Sequence, residues 1–310
     1  MPRQIAVIIN PIAGTGGRGD VARERAERAA SFVSGRGLDA QAVQIRITER
    51  PGHARELTQA ALAQGVTTVV AWGGDGTVNE VASAVAFHDA TLVVVPSGSG
   101  NGLARELRIP FDPSRAFAAA FDGRVCRIDA GELDGRLFFN VAGIGLDARV
   151  AHRFAADGLT RRGLSRYLAV AARECVTYKP DYHTVVTDGT PLRVRAMLIA
   201  IANSRQWGNG AVIAPAARVD DGTLDVVIVE ARSPLATLAQ LPRLFMGRIA
   251  DARGVTSVPA VDIEVRSQHA VQYHVDGEPH MGGASMTARP RPGALRVAVS
   301  ANVRLDLVTA

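Results

Sequence analysis

The chain has 310 residues, 47% of them hydrophobic and 21% charged, a balance that predicts a folded protein with enough apolar material for two domains. Its longest apolar stretch, Ala196 to Ala202, has seven residues, whereas a membrane-spanning helix needs about 20. The 35 basic and 30 acidic residues leave a net charge of +5, which permits an anionic ligand, while aromatic residues at 5% offer too little stacking surface for us to expect a nucleic-acid partner.

The N-terminus and the cysteines indicate the compartment. The apolar run Ile5 to Ile9 ends at Asn10 and is too short for the apolar region of a secretory signal, about 7–15 residues. Cys126 and Cys175 could form at most one disulfide, which a chain of this size does not need. We therefore expect a cytoplasmic protein with two buried thiols.

The first 122 residues alternate short β-branched runs with helical patterns, which predicts an α/β domain with a parallel sheet. The predicted strands are Ile5–Ile9, Val43–Ile47, Thr68–Ala71 and Leu92–Val95, and the predicted helices are Gly19–Ser34, Gly52–Ala63 and Thr77–Ala86. Sheets of this kind bind their ligands beyond the carboxyl ends of the strands. The loops that follow these strands are therefore the first place to look for a site.

After Gly123 the pattern changes to strands joined by Asp-Gly turns, which predicts an antiparallel β-sandwich domain. The predicted strands are Val125–Glu132, Leu137–Ala142, Tyr182–Thr187, Arg193–Ile201, Leu224–Val229, Val261–Val265, Val271–Val275 and Leu295–Val299. Two helices interrupt them, one over Leu164–Thr177 and one from Ser233 to about Met246. We place the domains at 1–123 and 124–310, and the last residues could pack back on the first domain.

The loop after the first strand contains a formal G-x-G-x-x-G pattern at Gly14, Gly16 and Gly19. In a dinucleotide-binding fingerprint the glycines adjoin the strand, and an acidic residue follows about 20 positions later at the end of the second strand. Here residues 10–13 intervene, and Asp39 precedes the second strand. The pattern therefore does not predict a dinucleotide site, and a flexible strand-to-helix turn remains the alternative.

The loop after the third strand reads Gly73-Gly74-Asp75-Gly76-Thr77-Val78-Asn79-Glu80. Its glycines let main-chain amides approach an anion, and the N-terminus of a helix beginning at Thr77 favours negative charge at the same place. An aspartate in an anion-binding turn is unfavourable unless a cation accompanies it, so Asp75 predicts magnesium. The alternative is an ordinary Asp-Gly turn with a solvated carboxylate.

The loop after the fourth strand, Pro96-Ser97-Gly98-Ser99-Gly100-Asn101-Gly102, completes a polar crevice, although its serines could simply cap the next helix. With Asn10-Pro11 and the Gly-Gly-Asp-Gly-Thr loop, it resembles the diacylglycerol kinase catalytic-domain family, which includes sphingosine and ceramide kinases and is distantly related to NAD kinase. The resemblance continues through residues 139–145, Ala214-Pro215, Asp221-Gly222-Thr223 and Asp276-Gly277-Glu278. It therefore covers nearly the whole chain.

The resemblance implies a Rossmann-like N-terminal domain, a β-sandwich C-terminal domain and ATP as the phosphoryl donor. It assigns the nucleotide to Asn10, Pro11, Ile12, Ala13, Gly14, Thr48, Gly74, Asp75, Gly76, Thr77, Val78, Asn79, Glu80 and Ser99. The family's proton acceptor is the glutamate of the late Asp-Gly-Glu, which here is Glu278, with Asp276 and Asp75 helping to hold Mg²⁺. Taken alone, that tripeptide would indicate a hairpin turn.

A second family metal site implies Asp221 as a side-chain ligand and Thr223 as a carbonyl ligand, with Arg218 at the third position. An arginine side chain cannot ligate magnesium, so Arg218 could contribute only its main-chain carbonyl. Some relatives also carry a lysine where this chain has Thr15, and we expect Arg18 to counter the triphosphate charge instead.

Two predicted helical segments that are rich in arginine are the candidates for contact with lipid. The basic residues are Arg161, Arg162, Arg166, Arg173, Arg243, Arg248 and Arg253. They could rest on anionic headgroups at the inner membrane surface, or the helices could simply bury one face. We expect a lipid kinase acting on diacylglycerol, a sphingoid base, ceramide or a related alcohol; the alternatives are a catalytically silent nucleotide- or lipid-binding regulator and an NAD kinase. The sequence predicts no oligomeric state.

Overall fold

The computed structural model describes residues 4–14, 20–35, 42–156 and 164–301. These form two compact units, one containing the residues up to Ile128 and those from Gly293, the other running from Asp129 to Pro292. The helices are α1 (Asp20–Ser34), α2 (His53–Ala63), α3 (Asp75–Val85), α4 (Gly102–Glu106), α5 (Pro113–Asp122), α6 (Leu146–Ala156), α7 (Leu164–Thr177), α8 (Pro234–Leu238) and α9 (Leu241–Phe245). The strands are β1 (Ile5–Ile9), β2 (Val43–Ile47), β3 (Thr68–Gly73), β4 (Thr91–Pro96), β5 (Arg124–Leu133), β6 (Arg136–Phe138), β7 (Val141–Gly145), β8 (Asp181–Thr187), β9 (Thr190–Ala202), β10 (Gln206–Gly208), β11 (Ala211–Val212), β12 (Leu224–Glu230), β13 (Val255–Ala260), β14 (Ile263–Arg266), β15 (Gln272–Val275), β16 (Glu278–Met281) and β17 (Ser285–Val299).

The first unit is built on a parallel sheet in the order β2-β1-β3-β4. The end of β17 extends it, with Arg296 and Val297 parallel to Thr91 and Leu92 of β4. Every residue of β1, β3 and β4 is buried, as expected for parallel strands covered on both faces. The predicted α/β fold is confirmed, and the loops after β1, β3 and β4 leave the sheet at its carboxyl edge.

The second unit is antiparallel, in the order β16-β15-β7-β9-β8-β14-β17, with β12 pairing with both β9 and β13. Along β9, Ile199 and Ile201 enter one core, while Leu198 and Ala200 enter a second core that the helices of this unit help to form. A strand buried on both faces must be apolar at every position, which accounts for the seven-residue apolar run in the sequence. The predicted antiparallel sandwich is confirmed.

The second unit differs from the sequence prediction at two helices. The single helix expected after Ser233 is two short helices, α8 and α9, because Pro242 lies in the first turn of α9 and cannot continue a preceding helix. Helix α6 was not predicted, although Leu146, Val150 and Phe154 recur every four residues. It matters below because it packs against β15 and β16. Within the described ranges, no helix is long and apolar enough to cross a membrane.

Candidate functional site

Three loops meet at the carboxyl edge of the parallel sheet: loop 1 (residues 10–14), loop 2 (residues 73–77) and loop 3 (residues 97–102). Loops 1 and 2 are joined by Asn10, whose Nδ2 donates to Thr77 Oγ1 at 2.8 Å. Thr77 also closes over the start of its own loop, because a Cβ at Gly73 would lie 2.5 Å from the Thr77 Cβ. Glycine at position 73 is therefore required by this packing.

Loops 2 and 3 are joined by the carboxylate of Asp75. Its Oδ2 accepts the Asn101 N–H at 2.8 Å, and its Oδ1 accepts the Gly102 N–H at 2.7 Å. These amides begin α4, so an aspartate from another loop caps this helix. The serines of loop 3 make no such cap, because the N-cap residue is Asn101 and its side chain bonds to Gly98 instead.

The backbones of the three loops approach too closely for side chains. A Cβ at Gly98 would lie 2.7 Å from the Gly74 Cα, and a Cβ at Gly14, where φ is +77°, would lie 2.1 Å from the Ser97 carbonyl oxygen. Each loop thus contacts the other two, and we call the assembly of residues 10–14, 73–77 and 97–102 the glycine cradle. Its close contacts explain why glycines recur in all three loops.

The cradle has the features of an anion site. Helix α3 begins at Asp75, and the first N–H groups of a helix have no acceptor within it. The Ser97 hydroxyl is buried without a hydrogen-bond partner among the described residues. A buried hydroxyl without a partner is unfavourable unless a ligand engages it. Phosphate oxygens would satisfy both kinds of donor, so the residues present fit a nucleotide phosphate.

A buried arginine that sequence reasoning missed holds loop 1 by hydrogen bonds. Arg25 of α1 is 8% exposed, and its Nη2 donates to the Ala13 carbonyl at 2.7 Å while Nη1 donates to the Asn10 carbonyl. Burial lowers the pKa of the Arg25 guanidinium, an effect that Glu24 partly offsets. Arg18, predicted to counter the triphosphate, lies outside the described residues, as do Arg161 and Arg162.

The other residues assigned to the nucleotide differ in their solvent exposure. Ile12 is 67% exposed and Ser99 is exposed, whereas Thr48, Val78 and Asn79 are buried. The Glu80 carboxylate accepts the Gly52 N–H at 2.8 Å and the Ala54 N–H at 3.0 Å. It therefore caps α2, whose N-cap residue Gly52 has no side chain to do so.

In the second unit, Asp276 and Gly277 form the turn between β15 and β16, and both have positive φ, as in a type I′ hairpin. The Asp276 carboxylate accepts three backbone N–H groups, from Phe139 at 2.9 Å, Asn140 at 2.9 Å and Val141 at 3.1 Å. Glu278 follows at once as the first residue of β16 and is half-buried. The carboxylate of Asp276 thus fixes the turn that carries Glu278.

Two contacts from α6 reach the same hairpin, and sequence reasoning missed both. His274 Nε2 lies 3.2 Å from Asp147 Oδ2, and both side chains are buried. His152 Nε2 lies 3.0 Å from the His280 carbonyl oxygen. The signal in the sequence was weak, because Asp147 and His274 are 127 positions apart.

The turn at Asp221, where the second metal ion is expected, is held by hydrogen bonds within the turn and to β5. Asp221 Oδ1 accepts both the N–H and the hydroxyl of Thr223, at 3.0 and 2.8 Å, and the Gly222 N–H donates to Asp129 Oδ2 at 2.8 Å. Burial and the neighbouring Asp221 charge raise the pKa of Asp225 to about 6. Arg218 Nε lies 3.6 Å from Asp220 Oδ1, so the guanidinium faces a neighbouring carboxylate.

The protein oxygen atoms in the cradle and in this turn would fill only part of the coordination shell of a magnesium ion. A ligand or water would have to supply the rest. In the described part of the chain, no three His, Cys, Asp or Glu side chains come together as a metal site. Magnesium characteristically binds through one or two carboxylates and completes its shell with phosphate oxygens and water. The carboxylates of Asp75 and Asp221, with a carbonyl at Thr223, are oxygen donors of the required kind.

Two family models match the two parts of the chain. Residues 4–133 match the model of the diacylglycerol kinase catalytic domain, and residues 140–299 match that of the YegS C-terminal NAD kinase beta sandwich-like domain. A Pseudomonas aeruginosa PAO1 protein described as a "Probable lipid kinase YegS-like" is 35% identical over 289 residues, 88% of each chain. One of the same description from Serratia proteamaculans is 31% identical, covering 86% of this chain and 87% of the other.

Solved structures match the fold. A crystal structure from Bacillus anthracis str. Sterne superposes with a TM-score of 0.80 at 22% identity, covering 96% of this chain and 95% of the other. Another from the same organism, described as a diacylglycerol kinase, superposes with a TM-score of 0.70 at 19% identity, covering 96% and 97%. At these identities the likeness concerns the fold alone.

Proposed function

Because this chain belongs to the YegS family and carries a diacylglycerol kinase catalytic domain, we propose that it is an ATP-dependent lipid kinase. It transfers the γ-phosphoryl group of ATP to the hydroxyl of a lipid alcohol, such as diacylglycerol, a sphingoid base or ceramide. The observation that carries the proposal is the glycine cradle, in which three loops bound to one another surround a helix N-terminus and a buried hydroxyl.

The cradle binds the phosphates of ATP. The α3 N-terminus and the Ser97 hydroxyl donate to phosphate oxygens, while the Asp75 carboxylate keeps loops 2 and 3 together. Thr48, Asn79 and Ser99 are the further candidates for nucleotide contact. Phosphoryl transfer depends mainly on positioning and on charge stabilisation, so a rigid set of donors is what this reaction requires of the protein.

Glu278 is the general base. Its carboxylate accepts the proton from the lipid hydroxyl as that oxygen bonds to the γ-phosphorus, and the bond from phosphorus to the β–γ bridging oxygen breaks to release ADP. Asp276, which accepts three backbone N–H groups, holds the turn before Glu278. Asp276 Oδ1 alone accepts two of these N–H groups, whereas each oxygen of Asp75 accepts one, so Asp276 has the smaller capacity for a metal and is assigned a positioning role.

Mg²⁺ is the cofactor that fits these donors. When bound, it would neutralise negative charge on the phosphates. The Asp75 carboxylate is the ligand proposed at the nucleotide. Asp221 and the carbonyls of Thr223 and Arg218 are the ligands proposed for a second ion, which would also offset the repulsion between Asp221 and Asp225.

The short helices α8 and α9 are the proposed contact with an anionic membrane surface. Leu235 is 81% exposed and Met246 is 61% exposed, and basic residues lie around them at Arg232, Arg243 and Arg248. Exposed apolar side chains among arginines suit the interface of an anionic bilayer. The enzyme would reach its lipid substrate from there.

The central test is transfer of labelled phosphate from ATP, with Mg²⁺, to a total lipid extract dispersed in detergent, followed by identification of the product. We expect a labelled phospholipid with the wild-type protein and none with Glu278→Gln, whereas Glu264→Gln, at a half-buried glutamate paired with Arg266, keeps full activity. Bound ATP without any labelled lipid would favour the silent regulator, and label transferred to added NAD would favour an NAD kinase.

The membrane contact has a separate test. We expect the protein to sediment with vesicles of phosphatidylcholine and phosphatidylglycerol, less with phosphatidylcholine alone and less at high salt. Leu235→Ser with Met246→Ser should abolish sedimentation, whereas Val261→Ser, at a half-exposed valine in a turn, should not. Binding that ignores lipid charge and salt would overturn this part of the proposal.

A further inference from the structure

A buried pair of side chains holds the hairpin that carries Glu278. His274 lies in β15 directly opposite Gly143 of β7, and the absence of a side chain at Gly143 lets Asp147 meet the imidazole above it. A Cβ at Gly143 would lie 1.9 Å from Asp147 Oδ2 and 2.6 Å from His274 Nε2. The pair therefore occupies a space that only glycine leaves open.

The hydrogen bonds define the state of the imidazole. The Gly277 N–H donates to His274 Nδ1 at 3.3 Å, so Nδ1 carries no proton. The proton of the neutral ring is then on Nε2 and points to Asp147 Oδ2 at 3.2 Å. Asp147 is fixed in turn, because it lies in the first turn of α6 and its Oδ1 accepts the Ala148 N–H at 2.8 Å.

Both residues of the turn are thus held from different sides. Asp276 is bound by the amides of residues 139–141, and Gly277 by His274. We propose that Asp147 and His274 are positioning residues that orient the Gly277 amide, and with it the adjoining Glu278, for proton transfer. This inference rests on the role of Glu278 in the proposed function. A carboxylate–imidazole pair serves here to fix a tautomer and not to exchange protons with substrate.

Two amide variants test the two ring nitrogens of His274 separately. Asparagine places its amide at the distance of Nδ1 from the backbone, so His274→Asn keeps an acceptor for Gly277. Glutamine places its amide at the distance of Nε2, so His274→Gln keeps a donor to Asp147 but leaves the Gly277 N–H without its acceptor.

The experiment compares the lipid kinase kinetics of both variants. We expect kcat within about threefold of wild type for His274→Asn and a loss of about 10- to 100-fold for His274→Gln, with the KM for ATP unchanged in both, because only the orientation of the base changes. Equal losses in the two variants, or losses that fall on KM for ATP, would overturn the proposal.

A second measurement does not depend on activity. Long-range ¹H–¹⁵N spectra of the full-length protein labelled in histidine report which ring nitrogen is protonated. We expect His274 to be protonated at Nε2 alone, and amide exchange at Gly277 to be faster in His274→Gln than in His274→Asn. A proton on Nδ1 would overturn the pair even if the enzyme is active. The expected tautomer with no dependence of transfer on Glu278 would overturn the proposed function, and with it the catalytic purpose of the pair, while leaving its hydrogen bonds in place.

Discussion

Asp75 and Asn101 join two loops that lie 26 positions apart in the chain, through a hydrogen bond of 2.8 Å from the Asn101 N–H to the Asp75 carboxylate. The same carboxylate binds Gly102, so one side chain sets the spacing between loops 2 and 3. Asp75 therefore has a structural role in the glycine cradle in addition to the magnesium role predicted for it.

Asp75→Asn should weaken the cradle. The amide keeps one accepting oxygen but presents an NH₂ group to the second backbone N–H, so one charge-assisted bond is lost at a cost of about 1.5–3 kcal/mol. We expect a lower Tm by differential scanning fluorimetry and weaker ATP binding. The matched control is Asp112→Asn at the N-cap of α5, where asparagine caps as well as aspartate and Tm should not change. Equal Tm values for both variants would contradict the bridging role.

Arg25→Lys should loosen loop 1. A guanidinium binds the carbonyls of Asn10 and Ala13 at the same time, whereas an ammonium group cannot span them, and an unsatisfied buried carbonyl costs about 1–3 kcal/mol. We expect KM for ATP to rise several-fold with kcat little changed. Arg28→Lys on the same helix, where the side chain is 47% exposed, should leave both constants unchanged, and a matching rise there would refute the prediction.

The strand ends could be predicted from the sequence because hydrophobic runs and glycines are local signals. These local signals predicted the positions of loops 1, 2 and 3, and together with the motifs they indicated the family. The contacts between loops could not be predicted, because Asp75 with Gly102 and Asp147 with His274 join residues 27 and 127 positions apart. A lone aspartate in a turn is chemically compatible with a metal, with solvent or with a backbone amide, and only the fold distinguishes them.

Gly98→Ala should be unusually destabilising for a loop substitution. The new methyl group would lie 2.7 Å from the Gly74 Cα and 3.0 Å from Asn101 Oδ1, so backbone must move, at a cost of about 1–3 kcal/mol. We expect a lower Tm and loss of ATP binding. At Gly283→Ala the nearest contact of the new methyl group would be an ordinary 3.4 Å. This variant should keep Tm or raise it slightly, because restricting the unfolded chain stabilises the fold by about 0.4–1 kcal/mol. A smaller effect at position 98 than at position 283 would count against the close packing of loops.

Stability should fall in acid partly through His280. Burial is the main cause that lowers the pKa of His280 to about 4 from its ordinary 6.5. The neighbouring Arg136, His152 and His274 lower it further. Between these values the unfolded chain binds more protons than the folded one, so the free energy of unfolding rises with pH up to about 6.5 and is flat above it. The stability is therefore lost as the pH falls from 6.5 towards 4.

Thermal melts of His280→Gln across that range provide the measurement. We expect Tm to fall less steeply with acid in this variant than in wild type, because glutamine does not titrate, while the backbone carbonyl at position 280 still meets His152. Some slope should remain from His183, whose pKa burial also lowers. His88→Gln, at an exposed histidine, should keep the wild-type slope. If His280→Gln also keeps that slope, His280 does not contribute to acid sensitivity and the packing of β16 against α6 must be reconsidered.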